Sequence, residues 1–264
     1  MQLAKGATDM SERLENKVIV ITGAAGGIGQ ATVERVVSEG AKVLAVDMDM
    51  SALKEALGQI DGDVECVVAD VTQEAQVQGY LQAAVDKFGG IDSVFNNAGI
   101  EGVTSKIVDY PTDMYERVMD VNVKGVFLGI KHAVPHLLAR GGGSIVNTAS
   151  TAGLRGAPLL PAYNASKHAV IGLTRSTAEA YGRDGIRTNA VCPAPINTRM
   201  MRSIELGMGG NEPDAIRSRF ESTIPLGRYG EAHEVASLVA FLLSSESSFI
   251  NGSMYSIDGG STPY

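Results

Sequence analysis

Tyr163 and Lys167 stand four residues apart in the segment PAYNASKHAVIGLT, and Ser150 closes the apolar run SIVNTAS thirteen residues before the tyrosine. On a helix, four residues rise about 6 Å along one face, so an ammonium at 167 lies one turn below a phenol at 163. A phenol beside an ammonium, with a hydroxyl brought up by a strand end, suits proton transfer to or from a substrate oxygen. A free tyrosine ionises near pH ~10, so acting as a base near neutrality asks for about 4 kcal/mol of preference for phenolate. Lys167 is expected to supply much of that. The pair alone identifies nothing, since its spacing recurs by chance, and the elements that position it must decide.

Those elements alternate along the chain. Short apolar runs at 17–22, 41–46, 64–69, 91–96, 143–148, 186–191 and 253–257 read as strands, and periodic segments at 27–39, 51–58, 73–88, 113–139, 162–181 and 231–243 read as helices. Nearly continuous apolar strands separated by helices predict an α/β Rossmann fold, a doubly wound seven-stranded parallel sheet with helices on both faces. At 264 residues with 44% hydrophobic content and no linker-like tract, one dinucleotide-binding and catalytic domain over residues 1–264 is expected. The first sixteen residues read as a flexible lead-in. The Met- and Gly-rich insert 197–225 falls after the sixth strand, where such folds bind ligands, and reads as an irregular, mobile substrate-binding lid.

The first strand runs directly into TGAAGGIG and then into a helix. Gly23, Gly27 and Gly29, with Ile28 between them, permit a tight turn, close backbone approach to a pyrophosphate and close helix packing, while the helix start offers N–H groups and positive dipole. The spacing is TGxxxGxG rather than GxGxxG. The second strand ends in Asp47, followed by Met48. A carboxylate there accepts hydrogen bonds from adenosine ribose hydroxyls and repels a 2′-phosphate, and Ala24, Ala25 and Met48 offer no basic group, so NAD is expected rather than NADP.

TGxxxGxG, the acidic strand end, Asp70 and Val71, NNAG at 96–99, Asn122, Ser150, Tyr163, Lys167 and the closing DGG at 258–260 occur in one order. In that order the chain resembles the short-chain dehydrogenase/reductase family from Lys17 to its end. The resemblance implies that Asp70 and Val71 flank the adenine, that Asn97, Ala98 and Gly99 lie against the cofactor, and that Pro193, Ile196 and Thr198 meet the nicotinamide. It also implies that Lys167 and Tyr163 bond the nicotinamide ribose, that Ser150 holds the substrate oxygen, and that Asn122 occupies a helix kink carrying a water of the proton path. The family usually shows Pro-Gly where this chain has Pro193 and Ala194, which would strain the loop if that position needed a positive φ. Within the family, GIEG, NTAS, RYGE, FLLS and IDGG are most similar to levodione reductase-type and cyclic alcohol dehydrogenases. The implied activity interconverts a secondary alcohol and its ketone, and the implied assembly is a homotetramer paired through the long helices and the last strand.

Ser150, Ala152, Leu160, Tyr163, Ala194, Met200 and Met201 are the expected substrate contacts, with Ile100, Leu154, Leu159, Ile204 and Met208 completing an adaptable apolar lining. Such a lining suits a small hydrophobic alcohol or ketone. Arg155 reads as a loop tether, His168 as a packing residue, and Glu101 as either a substrate contact or a solvated side chain. His132 and His136 lie four apart, but Pro135 intervenes and no metal is expected. A net charge of -8 argues against nucleic acid or an anionic membrane as partner, and no apolar leader or long apolar stretch is present, so a cytoplasmic location is expected. Cys66 and Cys192 read as buried reduced thiols. An acyl carrier protein ketoreductase and a non-catalytic binding protein of the same fold remain as alternatives. The former wants NADPH and a basic docking face, and the latter should have lost a proton-transfer residue.

Overall fold

Strand β1 (Val18–Thr22, VIVIT) is buried at every position, as a β-branched run must be when both faces of its sheet are covered. The structure, a computed structural model, describes residues 13–262. β1 pairs in parallel with β2 (Lys42–Asp47) and β4 (Ser93–Asn96). With β3 (Val64–Val68), β5 (Gly143–Thr148), β6 (Ile186–Pro193) and β7 (Met254–Ile257), these form a seven-stranded sheet in the order β3-β2-β1-β4-β5-β6-β7. The expected doubly wound parallel sheet is what the chain forms.

Two apolar layers flank it. On one face, α1 (Gly27–Ser38), α2 (Met50–Leu57) and α9 (Ala232–Leu243) set Val33, Val36, Leu53, Leu57, Val235 and Val239 against β1 and β2. On the other, α3 (Glu74–Phe88), α5 (Gly125–Ala139) and α6 (Pro161–Tyr181) bury residues such as Val77, Leu81, Val134, Leu137 and Val170. Removing each such side chain from water stabilises the fold by about 1.5–3 kcal/mol, so these layers hold the strand ends in fixed register. Cys192 lies in the second layer and is fully buried, whereas Cys66 on β3 is only half-buried.

Three expectations change. The segment 113–139 is not one helix: α4 (Thr112–Met119) passes through a π-helical turn, Asp120–Lys124, into α5. The segment 197–225 is not irregular, because it folds as α7 (Arg199–Gly209) and α8 (Pro213–Thr223), with Ile204 and Glu205 buried. Residues 13–16 are not free. Leu14 is 1% exposed and its amide donates to Glu39 O at 3.1 Å, while Arg13 bonds Glu39 at 2.9 Å and Glu246 at 3.1 Å. The rest of the expected lead-in, residues 1–12, lies outside the described residues. Among the described residues no helix is long and apolar enough to cross a membrane.

Helix α9 begins with a reciprocal cap in which the Glu231 side chain accepts from the N3 backbone and Glu234 accepts from the Glu231 amide at 2.8 Å. Arg228 bonds both Glu234 oxygens at 2.8 Å, and this, followed by the Glu231 amide, holds the carboxyl down at about 2. Glu234→Ala is expected to cost about 1 kcal/mol at neutral pH, lowering the thermal midpoint by about 2 °C. Because the folded value lies below the ordinary 4.5, the contribution is present above that value and lost as pH falls toward 2. Melting curves of wild type and variant should therefore converge in acid, and a gap independent of pH would contradict this account.

Candidate active site

Every strand of a parallel sheet ends at the same edge, so the chemistry-bearing residues at strand ends collect there. β1 delivers Thr22 and Gly23, β2 Asp47, β4 Asn96, β5 Thr148 and then Ser150, and β6 Pro193. Chain order reverses between β1 and β4, and the groups fill the crevice at that reversal.

The β1–α1 turn leans directly on the loop after β4. Gly23 has φ +66, and a Cβ there would lie 2.9 Å from Ala98 Cα. At Gly29 a Cβ would lie 2.1 Å from Gly23 O, and at Gly27 it would lie 2.9 Å from Thr198 Cγ2. Glycine at these positions is thus what lets the turn, the NNAG loop and the loop after β6 meet. Gly26 offers no side chain to cap α1, so the first amides of that helix keep their donors for an anion. The cradle fits a pyrophosphate. Asp47 accepts from Ala25 N at 3.0 Å and Met48 N at 2.7 Å, which holds its carboxylate beside the turn, while Met48 is 63% exposed. Asp70 turns to accept from Thr72 N at 2.9 Å, and Val71 is buried against Gly125, where a Cβ would lie 2.8 Å from Val71 Cγ2. Ile28 packs partly buried among the core residues of that face.

The proton-transfer candidates come together on α6. Tyr163 sits in its first turn, and the Lys167 ammonium lies 5.3 Å from the Tyr163 ring centroid. Lys167 is 3% exposed and donates to Thr148 O at 2.7 Å. The Ser150 hydroxyl accepts from Ala152 N at 3.1 Å and donates to Pro193 O at 3.4 Å. Asn122, fully buried in the π turn, clamps the loop after Gly99: its Oδ1 accepts from Ile100 N at 2.8 Å and its Nδ2 donates to Ile100 O at 2.9 Å. The same Nδ2 donates to Ser166 Oγ at 3.0 Å, tying the kink to α6. In this chain the side chain of Asn122 is therefore spent on loop and helix contacts.

The electrostatics run against the expected depression of the phenol. Burial pushes Tyr163 up to about 12; the Ser150 hydroxyl opposes this and the Glu101 carboxylate adds to it. Burial also brings Lys167 down to about 8, because no carboxylate compensates its desolvation and only the neighbouring Cys192 works the other way.

On the substrate side, Leu160 is buried at the start of α6, Ala152 and Ala194 are half-buried, and Met200 and Met201 sit half-buried in the first turn of α7. Ile196 is buried and accepts from Thr198 Oγ1 at 3.2 Å. Ala194 is not strained: the sole non-glycine with positive φ among the described residues is Asn16, and Ala194 N donates to Ile257 O at 3.1 Å. Leu154 is 37% exposed, a rim rather than a lining position. Arg155 tethers its loop by donating to Ser261 O at 3.0 Å. His168 is exposed and bonds Asn164 O at 2.9 Å instead of packing. His132 pairs with Glu74 at 2.8 Å, away from His136 as a ligand set.

Two anchors escaped the sequence expectations. Thr148 bonds Lys167 through its carbonyl and Asn97 Oδ1 through its hydroxyl at 3.1 Å; its place two residues before Ser150, on the same strand face, was the available signal. Asn164 Nδ2 donates to Ala152 O at 2.6 Å and Arg155 O at 2.7 Å, pinning the loop in front of Tyr163. Its partners lie too far along the chain for spacing to reveal them.

The geometry has counterparts among known proteins. A family model described as enoyl-(acyl carrier protein) reductase matches residues 23–262. Levodione reductase of Leifsonia aquatica is 40% identical over 253 residues, covering 94% of this chain and 95% of that one. A crystal structure of levodione reductase matches at a TM-score of 0.93, with 40% identity over 95% of this chain and 99% of the other. Cyclohexanol dehydrogenase of Acinetobacter sp. (strain SE19) is 38% identical over 256 residues, covering 96% of this chain and 98% of that one. The crystal structure of an NAD+-bound xylitol dehydrogenase matches at a TM-score of 0.90, with 35% identity over 94% of this chain and 100% of that chain. With a family model running from the first glycine of the β1–α1 turn to Thr262, and relatives aligned over nearly all of the chain, this protein belongs to the short-chain dehydrogenase/reductase family of oxidoreductases.

Proposed function

We propose that the chain is an NAD(H)-dependent oxidoreductase that interconverts a hydrophobic secondary alcohol and its ketone, with Tyr163 as the acid and base. The observation that carries this reading is the Tyr163 ring 5.3 Å from the Lys167 ammonium, which is joined through Thr148 and Asn97 to a glycine turn shaped for a pyrophosphate. A nicotinamide cofactor held there would supply the hydride chemistry. The chain's own residues do the rest. Gly23, Gly27, Ile28 and Gly29 hold the pyrophosphate, Asp47 and Met48 the adenosine ribose, and Asp70 and Val71 the adenine. Asn97, Ala98, Gly99, Pro193, Ile196 and Thr198 line the nicotinamide end.

In oxidation Tyr163 takes the alcohol proton while the Ser150 hydroxyl fixes the substrate oxygen; in reduction Tyr163 gives the proton back. For the base role the phenol must come down from about 12, and the charges available are the Lys167 ammonium and the oxidised cofactor ring. Lys167 also bonds the ribose hydroxyls and restores the proton. Asn122 holds the π turn and the Ile100 segment against α6. NAD rather than NADP follows from Asp47, whose carboxylate at the end of β2 would meet a 2′-phosphate with like charge. The NAD+-bound structural relative supports the same reading.

Leu160, Ala152, Ala194, Met200 and Met201 make the substrate wall, and the α7–α8 segment is its lid. We read the chain as one domain, homotetrameric and cytoplasmic; a clean monomer by light scattering at micromolar concentration would remove the assembly. A 3-oxoacyl-(acyl-carrier-protein) reductase of Thermotoga maritima, 40% identical over 252 residues, favours a second reading, an acyl carrier protein ketoreductase. Against it stands a net charge of -8 facing an acidic carrier; Asp47 does not separate the two readings, since a 3-ketoacyl-(acyl carrier protein) reductase structure complexed with NADH also matches, at a TM-score of 0.88. A non-catalytic binding protein is opposed by the presence of Ser150, Tyr163 and Lys167 together.

Tyr163→Phe is expected to bind NADH as wild type does, read by cofactor fluorescence, and to lose about 10³-fold in turnover. Retained turnover would overturn the assignment. Asp47→Ala should narrow the NAD over NADP ratio in kcat/KM, and equal use of both cofactors by wild type would refute the selector role. Ser150→Ala removes the hydroxyl that favours phenolate, so the rising limb of the oxidation rate should move to higher pH. An unmoved limb would show that Ser150 does not touch the phenol.

A further inference from the structure

Glu101 belongs to none of the machinery described above, yet the backbone on both sides of it is held in place. The loop that carries it is fixed on both sides. At Gly99 a Cβ would stand 3.5 Å from Lys167 Nζ and 3.3 Å from Asn122 Oδ1, so the backbone two residues before Glu101 abuts the buried ammonium. Ile100 is bonded by Asn122 through both its amide and its carbonyl, at 2.8 and 2.9 Å. Gly102, directly after, takes φ +74, which turns the chain away. A Cβ there would meet the Tyr110 hydroxyl at 2.3 Å, so the turn is closed against Tyr110 as well.

The far end of the same loop touches the substrate wall and the lid. Ser105 N donates to Leu159 O at 2.9 Å, beside Leu160, and Thr104 packs on Gly207 of α7, where a Cβ would lie 2.2 Å from its hydroxyl. Residues 99–105 therefore form one wall of the cleft between the Tyr163 and Lys167 pair and α7. Within that wall Glu101 is half-buried, and among the described residues it makes no ion pair or side-chain hydrogen bond. Its charge reaches the Tyr163 phenol and disfavours ionisation there.

An unpaired carboxylate beside the base is a poor wall for a wholly apolar substrate. It hinders phenolate formation, and an apolar group pressed against it strips water from a charge without replacing the lost hydrogen bonds. A hydroxyl on the substrate reverses the balance, because a charge-assisted O–H···O⁻ bond replaces that water. We propose that Glu101 is a specificity residue that accepts a hydrogen bond from a second hydroxyl of the substrate. The favoured class is then a diol or hydroxyketone on an apolar frame, and substrates with a carboxylate near the reacting carbon are rejected. This rests on the reading of the chain as an alcohol and ketone oxidoreductase.

The test compares cyclohexanediol isomers with cyclohexanol as substrates for the NAD-loaded enzyme. A second measurement follows binding of the same compounds to the NADH complex through cofactor fluorescence. Wild type should favour at least one diol over cyclohexanol by about tenfold or more in kcat/KM, mainly through KM. Glu101→Leu should reduce diol kcat/KM and diol binding by about 10- to 100-fold while leaving cyclohexanol turnover equal or higher. Glu101→Gln, which keeps an acceptor oxygen without the charge, should fall between. Cyclohexanol turnover serves as the control for folding. Parallel losses for diol and cyclohexanol, or an unchanged ratio in Glu101→Leu, would overturn the proposal and leave the oxidoreductase reading intact. If wild type turns over no alcohol or ketone, that reading fails. The fluorescence titration then decides Glu101 alone, with equal diol binding by wild type and Glu101→Leu counting against it. A wild type that takes no NADH ends both.

Discussion

A buried ammonium without a carboxylate partner is the constraint around which this end of the sheet is arranged. Lys167 is 3% exposed, and its hydrogen bond from Nζ is to the carbonyl of Thr148 at 2.7 Å. Taking an ammonium out of water costs several kcal/mol, and one carbonyl dipole offsets only part of that. The nearby Cys192 thiol gives no counter-charge at neutral pH, since burial pushes it up to about 11. Lys167 accordingly sits at about 8, near enough to neutrality for its charge to follow whatever approaches it. The surrounding glycines make room for this: Gly99 leaves its Cβ position 3.5 Å from the ammonium, and at Gly153 a Cβ would lie 2.7 Å from Lys167 O.

The π turn at Asp120–Lys124 serves the same end by other means. A regular helix from 113 to 139 would satisfy its backbone internally, but the widened turn places Asn122 in the core, where an amide can both donate and accept. Asn122 uses those groups on Ile100 and Ser166, so the loop after β4 and helix α6 are tied through one side chain. Ser166 in turn donates to Tyr163 O at 2.7 Å. Tyrosine, lysine and loop therefore keep their mutual positions through bonds that leave the phenol free.

The sheet was legible in the sequence because buried parallel strands are nearly continuous apolar runs, as VIVIT of β1 is. The nearness of Tyr163 and Lys167 was legible because one helical turn fixes their spacing, whereas Asp70, Val71 and Asn122 were singled out only through the family resemblance. What escaped was set by contacts between distant segments. Leu14 finds its place through Glu39, twenty-five residues on, so nothing local marked residues 13–16 as part of the fold. The α7–α8 segment looked irregular because its Met and Gly content obscured two short helices, of which α7 buries Ile204 and Glu205. Ala194 looked like a source of strain, yet its φ is ordinary, because the β6–β7 pairing extends to hold it through Ile257 O. Residue type alone does not report φ.

The cofactor cradle and the proton site are one rigid unit, and the bonds that join them can be followed atom by atom. Gly23 O accepts from Asn97 Nδ2 at 3.2 Å; Asn97 Oδ1 accepts from Thr148 Oγ1 at 3.1 Å; Thr148 O accepts from Lys167 Nζ at 2.7 Å. Thr22 Oγ1 locks the same loop by accepting from Asn97 N at 3.0 Å and Ala98 N at 3.2 Å. Three strand ends and helix α6 are thereby fixed relative to one another by side chains as well as by the sheet ladder. A displacement of the glycine turn would be felt at the ammonium, and through it at the Tyr163 ring 5.3 Å away. The phenol lies high and the ammonium low because they share one dry space, so a positive charge brought into the cradle acts on both. It lowers the proton affinity of both groups, so the phenol and the ammonium respond to it together.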